Sequence, residues 1–279
     1  MTTDVRTRTP IRTEWPFYVD SVIAGTLGIV LARLIEQFGL AIGGWLFDRD
    51  PVLDQLGTTF RLGGSDLAYA GGTLAALAAG VFFLIIYPGS KDRSTGRLTL
   101  LWVTLHSFRI GLSDLALMPF TETSASRALA ELDVPAGLDV VLAATAAVGL
   151  LLVALAAAPA FLAFARHASE VATRRDRVRF VALLAVLPGL ISPLLAVPFF
   201  LPDPAGTVLR TLPLVGLFTV VTLAGAPGTT HLLPPAEPLE RTISWGLVAA
   251  ALFVLVVFQF GLRGGIPIPP WDENLNLRL

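Results

Sequence analysis

The sequence predicts an all-α polytopic integral membrane helix bundle of about seven transmembrane spans, within a range of roughly six to eight. Three observations predict it. Of 279 residues, 54% are hydrophobic and only 15% are charged, against roughly 25% charged in a soluble domain. The mean hydropathy is +0.72. Apolar stretches of about 20 residues, the length a helix needs to cross the hydrocarbon core, recur between short polar connections. This composition excludes a disordered chain, a collagen-like fibre and an ordinary water-soluble enzyme.

The elements follow in chain order. Residues 1–15 form a polar tail. The first span lies within 17–47 and is too long to cross straight, so it tilts or protrudes. It exceeds a signal-peptide core and lacks a small-residue cleavage site, so it reads as retained. The second span is 66–87, the third 98–121 and the fourth 138–165. The fifth is 180–201, the sixth 208–226 and the seventh 243–263. A short helix, Ser124 to Leu132, is expected in the 122–135 connection, closed before Pro135. Residues 234–238 and the tail 266–279, with Ile266-Pro-Ile-Pro-Pro-Trp271, read as extended, and Trp271 suits the headgroup level. Residues 16–265 are thus read as a single transmembrane domain.

Arginine sets the orientation. Arg6, Arg8, Arg12, Lys91, Arg93, Arg97, Arg166, Arg174, Arg175, Arg177, Arg179 and Arg241 fall in connections on one side, against Arg49, Arg61, Arg127 and Arg278 on the other. The positive-inside rule then places the N-terminus in the cytoplasm. A net charge of −1 gives no basic field for nucleic acid. The chain has no cysteine, so disulfides, thiolate metal sites, iron–sulfur clusters and cysteine nucleophiles are excluded. A cysteine-free chain with a retained first span fits a prokaryotic cytoplasmic membrane, with the bilayer as its first partner.

In lipid, helices associate through small residues and buried polar groups. Projected at about 100° per residue, Gly25, Gly28, Ala32, Glu36, Gly39 and Gly43 of the first span share an arc of roughly 80°. One carboxylate therefore sits in a smooth seam that must be pressed against protein. Ala68, Gly72, Ala75 and Ala79 give the second span a matching face, so these two spans are expected to pack closely. In the third span Thr99, Trp102, His106, Arg109 and Ser113 share an arc of roughly 100°, with Asp114 beside it. Arg33, Glu36, Arg109 and Asp114 fall within roughly 8 Å of one depth. A lone charge there costs about 2.5–3.5 kcal/mol, so a buried polar group of Glu36, His106, Arg109 and Asp114, with Arg33 and Ser113 nearby, is expected.

Each residue has two readings. Glu36 is a proton- or cation-carrying carboxylate, or half of a structural ion pair. His106 is a hydrogen-bonded structural histidine, a proton relay, or a metal or haem ligand; the sequence supplies no metal partners at helical spacing. Arg109 clamps Glu36 or Asp114, or binds an anionic substrate. The fifth span, with Pro188, Pro193, Pro198 and Pro202, is a bent helix, or a broken one offering backbone groups to ions. Asp48, Asp50, Asp54 and Asp66 give a solvated acidic loop without a cation-binding motif.

Known intramembrane chemistries are tested by their motifs. There is no HExxH; the third span reads His106-Ser-Phe-Arg109. Gly111-Leu-Ser113-Asp114 lacks the glycine that should follow a rhomboid-type serine. The only lysine, Lys91, lies in a loop, so no retinal Schiff base can form. No phosphate-binding glycine loop is present, and no cofactor or metal is expected. Three function classes remain. These are a transporter, channel or proton-conducting module; a non-catalytic subunit that docks a membrane partner or another copy; and an intramembrane enzyme with an atypical site.

Overall fold

The computed structural model describes residues 15–87, 95–135, 137–165, 168–203, 212–228 and 243–268. The tail before Trp15, the 234–238 connector, His167, His231 and Trp271 lie outside them, as do Arg6, Arg8, Arg12, Lys91, Arg93, Arg166, Arg241 and Arg278 among the residues that set the orientation.

The chain is helical. Helix α1 runs Trp15–Leu46, α2 Ala70–Ile86, α3 Thr95–Ala116, α4 Ser124–Glu131 and α5 Leu138–Leu162. Helix α6 (Arg174–Val181) continues through a π-helical turn, Ala182–Val186, into α7 (Leu187–Ala196). Helix α8 is Leu212–Gly225 and α9 is Trp245–Val256, which a π turn extends to Leu262. Among the described residues, five stretches are long and apolar enough to cross a membrane: Trp15–Leu46, Asp66–Ile86, Leu138–Leu162, Arg174–Phe200 and Trp245–Leu262. Large apolar side chains point away from the bundle, including Phe82, Ile85, Leu152, Phe253 and Phe260.

Helix α3 is the least apolar of the long helices because it sits in the middle. Leu98, Leu101 to Ser107, Arg109 to Gly111 and Ser113 are all buried. A helix walled by protein need not present a lipid-compatible surface, so it can carry charge. It starts at Thr95, three residues before the expected 98, and ends at Ala116, five before the expected 121. Arg97, read from sequence as part of a loop, lies inside its first turn and stacks 4.6 Å from the Tyr87 ring.

The glycine seam sets how close the helices come. A Cβ on Gly39 would strike Ala75 Cβ and the Gly71 carbonyl, and one on Gly43 would strike the Ala68 carbonyl. A Cβ on Gly72 would lie 2.7 Å from Leu40 Cγ. The α1–α2 seam expected from Ala68, Gly72 and Ala75 is thus present, with Gly71 as its additional member. Higher on α1, a Cβ on Gly28 would sit 2.9 Å from Trp102 carbonyl carbon and Cβ, so the same stripe also admits α3. Gly25 turns towards Ser192 of α7. Ala32, Ala76 and Ile110 close the three-helix junction.

The fifth span stays helical through Pro188 and Pro193, with a π turn ahead of them. Pro188 has no N–H and would clash with the carbonyl of Leu184 in a regular α-helix. The π turn opens the ladder just before that point, and the freed Leu184 carbonyl accepts Ser21 Oγ at 2.7 Å. Ser21 Oγ in turn accepts Trp102 Nε1 at 3.0 Å. Two further bonds tie the helices: Ser192 Oγ donates to the Val22 carbonyl (3.0 Å), and the Ser244 amide donates to Asp20 Oδ1 (3.0 Å) at the start of α9.

The acidic connection after α1 is structured. Strands β1 (Pro51–Leu53) and β2 (Thr58–Phe60) form an antiparallel hairpin, and β3 (Ile266–Pro267) pairs antiparallel with the other edge of β1. Asp48 and Asp50 take left-handed backbone, φ 55° and 47°, which aspartate tolerates better than most residues. Asp54 Oδ1 accepts the Leu56 and Gly57 amides, and Asp66 pairs with Arg49. The four carboxylates therefore serve turns and a pairing, and among the described residues no group of acids or histidines is arranged to hold a metal. The extended reading of the tail holds at Ile266–Pro267. The short helix expected at 124–132 is α4, capped by Thr123 and Ser126.

Two variants test this packing. Gly39→Leu should lower the melting temperature in mild detergent or prevent folding, because overpacking a tight seam costs about 1–3 kcal/mol or more. Gly63→Leu, where nothing lies within 4 Å, should be neutral. Ser21→Ala strands the Leu184 carbonyl and the Trp102 N–H, and should cost about 1–3 kcal/mol by thermal unfolding.

Candidate functional site

The polar residues of α1 and α3 meet where the glycine seam lets the two helices approach. Gly28 lies against Trp102 and against His106 Cδ2, 3.1 Å from where a Cβ would stand. The His106 ring stacks on Trp102, with centroids 5.5 Å apart and planes 18° apart. His106 and Arg109 are each 3% exposed, and Glu36 7%.

Arg109 Nε donates to His106 Nδ1 at 3.3 Å. That bond occupies the Nδ1 lone pair, so the proton of a neutral ring sits on Nε2. Nε2 is buried and has no hydrogen-bond partner among the described residues. A ring protonated at Nε2 offers no lone pair there to a metal or haem iron, and the usual ligand pattern, with Nδ1–H donating to an acceptor, is reversed.

Glu36 accepts from Arg33, three residues earlier on the same helix. The expected clamp of Glu36 or Asp114 by Arg109 is not formed. Arg33 reaches Glu36 along one helix turn, a shorter path than the cross-helix one. Arg109 nevertheless lies within electrostatic reach of both Glu36 and Arg33, and His106 within reach of Arg109. Of the residues expected at one depth, Arg33, Glu36 and Arg109 interact electrostatically, with pairings other than the expected ones, and His106 joins them through Arg109. Arg33 is its most open member, its side chain 31% exposed, and its Nε is buried without a partner.

Asp114 stands at the edge of this group, within electrostatic reach of Glu36. Its carboxylate accepts Thr73 Oγ1 and the amides of Ser124 (3.2 Å) and Ala125 (3.0 Å). It therefore anchors the N-terminus of α4 to α2 and α3, where a negative charge meets unpaired helix amides. Ser113, buried, donates back to the Ile110 carbonyl at 3.1 Å and joins nothing across the interface. The sequence reading omitted Ser21, Asp20 and Thr73, whose partners are mostly backbone groups or distant in sequence. Ser107, whose buried hydroxyl has no partner among the described residues, carried no such signal either.

No protein-family model matches this chain, and no match is found among curated proteins or solved structures.

Asp114→Asn keeps the shape and removes the charge from the α4 amides. The expected result is a loss of about 1 kcal/mol in stability, with faster proteolytic cutting between residues 117 and 135. Unchanged cutting would show that Asp114 does not hold α4.

Proposed function

We propose that the chain is a multi-pass membrane protein of about seven spans, N-terminus in the cytoplasm, that moves protons or small ions through the α1–α3 centre. The outward-facing apolar side chains and the five long apolar helices support membrane embedding. The alternating directions of α1, α2, α3, α5, the α6–α7 rod, α8 and α9 support the span count. Gly39 meets Gly71 while Gly43 meets Ala68, so α2 runs against α1; Gly28 meets Trp102 while Ala32 meets Ile110, so α3 runs with it.

The observation that carries the transport reading is the Nε2 of His106, buried and without a partner among the described residues, on a ring bonded to Arg109, which in turn lies within electrostatic reach of Glu36. A buried donor without an acceptor costs about 1–3 kcal/mol, which a purely structural histidine has no reason to bear. Ionisable groups at membrane depth mark ion and proton paths. Glu36 is the exchangeable carboxylate, held by Arg33. His106 passes a proton at Nε2 once Arg109 turns away and releases Nδ1. The proline-containing rod α6–α7 is the flexible wall of this path.

A second reading rests on the exposure of Arg33. A cation left 31% exposed at that depth suits a docking helix as well as a wet path, which would make the chain a subunit of a larger membrane assembly.

The test is proton flux in proteoliposomes loaded with a pH-sensitive dye and driven by a potassium diffusion potential. Wild type should acidify the lumen, and Glu36→Gln should abolish this while eluting and melting as the wild type does. Equal flux in both would show that Glu36 is not the carrier. Absence of flux in the wild type, with a stoichiometric protein co-purifying in mild detergent, would favour the subunit reading.

A further inference from the structure

We infer that the exposed face of α6 is a binding surface for the headgroups of anionic phospholipids, made by Arg174, Arg175 and Arg179. This rests on the membrane embedding argued above and is independent of the transport reading.

The arginines of this short helix are of two kinds. Arg177 turns inward. Its guanidinium donates to the carbonyls of Val171 (3.3 Å) and Ala172 (3.4 Å) ahead of the helix, and to that of Pro227 (3.2 Å) in the turn after α8. Phe180 and Val181 are buried in the main apolar core. One side of α6 is therefore fixed to the bundle. Arg174, Arg175 and Arg179 are exposed, and none of them makes an ion pair among the described residues. Asp176, the one acid of α6, is spent on the Thr173 amide (3.2 Å) and hydroxyl (2.6 Å). With Glu170 counted as well, the stretch 168–181 carries two more positive charges than negative ones.

The helix gains nothing from these cations by itself. Arg174 and Arg175 occupy its first turn, where the macrodipole is positive and favours acids. Arg175 and Arg179 lie four residues apart on one face, and like charges at that spacing repel. An anion from outside the chain relieves both conflicts.

Position says which anion. Helix α6 runs through the π turn into α7, and Arg174–Phe200 is one of the stretches long and apolar enough to cross a membrane. Leu187, Leu190 and Leu194 are exposed along it. At about 1.5 Å per residue, Arg179 stands about 12 Å from Leu187 along the axis. Where acyl chains cover the leucines, the phosphates of the same lipids come level with the arginines. The planar guanidinium fork matches phosphate oxygens, and a cluster of basic residues directly beside a span attracts an anionic leaflet. A zwitterionic headgroup brings no net charge to cancel the surplus.

The experiment offers equal amounts of phosphatidylglycerol and phosphatidylcholine to the full chain in maltoside and counts the lipids retained by native mass spectrometry. The wild type should keep phosphatidylglycerol in preference. A variant carrying Arg174→Gln, Arg175→Gln and Arg179→Gln should lose about tenfold or more of that preference. Lysine at the same three positions should keep most of it. Arg61→Gln with Arg263→Gln, two exposed arginines beside the small sheet, should match the wild type. Phosphatidylglycerol should also raise the melting temperature of the wild type and leave that of the triple glutamine variant unchanged, a response that a merely structural role would not give. No preference in the wild type, or equal preference in the triple variant, overturns the proposal. Displacement of the lipid by soluble glycerol phosphate overturns it in favour of a free-anion site, and displacement by polyglutamate in favour of an acidic protein partner. Should the triple variant fail to fold, the wild type decides. Exposed charges are screened by salt, so the preference should fade on going from about 0.1 to about 1 M salt, and a preference indifferent to salt overturns the proposal. A chain that stays dispersed without detergent would overturn the embedding and this surface together; one that needs detergent yet shows no preference removes this surface alone.

Discussion

The structure depends on how closely α1 can be approached. A stripe of glycine and alanine along one side of a 32-residue helix removes the side-chain bulk that would keep its neighbours away. Without lipid-driven hydrophobic attraction between helices, close van der Waals contact and buried polar bonds are what remain to hold them. Gly39 and Gly43 accept α2, Gly28 accepts α3, and Gly25 accepts α7. Because these contacts lie on one stripe, α1 touches three helices at once, and its polar residues are enclosed by them.

Enclosure explains where charge is tolerated. Helix α3, ringed by protein, carries Arg97, His106, Arg109 and Asp114; the outward faces of α5 and α9 carry mostly aliphatic and aromatic side chains. The same logic governs the proline-containing rod. Its π turn frees a carbonyl, and the nearest helix supplies a hydroxyl, Ser21, that bonds it while serving Trp102. Burial of Pro188 and Pro193 against neighbouring helices is what makes them tolerable here.

Much of this was legible in the residues. The all-α character and the long apolar helices followed from apolar run length, and the α1–α2 seam from glycine spacing, while the ends of α3 differ from the expected bounds by three and five residues. Counting residues to a common depth suggested Arg33, Glu36, Arg109 and Asp114 as one group, and the helical arc added His106; Asp114 instead serves the start of α4. The pairings did not follow. Depth and helical arc locate a Cβ, but the partner of a long side chain is decided by rotamer and by what lies one turn away, and there Arg33 reaches Glu36 ahead of Arg109. The role of Asp114 was hidden because its partners are backbone amides of α4, which carry no identity in sequence. Nor does the acidic character of 48–66 distinguish carboxylates that shape turns from carboxylates that bind ions.

The small sheet after α1 has a consequence for how the chain is held together. Its central strand, β1, emerges directly after the first helix, yet one of its edges is completed only by β3, the last described element. The hairpin of β1 and β2 can close locally, but its free edge is covered only by a segment more than two hundred residues later, so the third strand ties the connection after α1 to the stretch that follows α9.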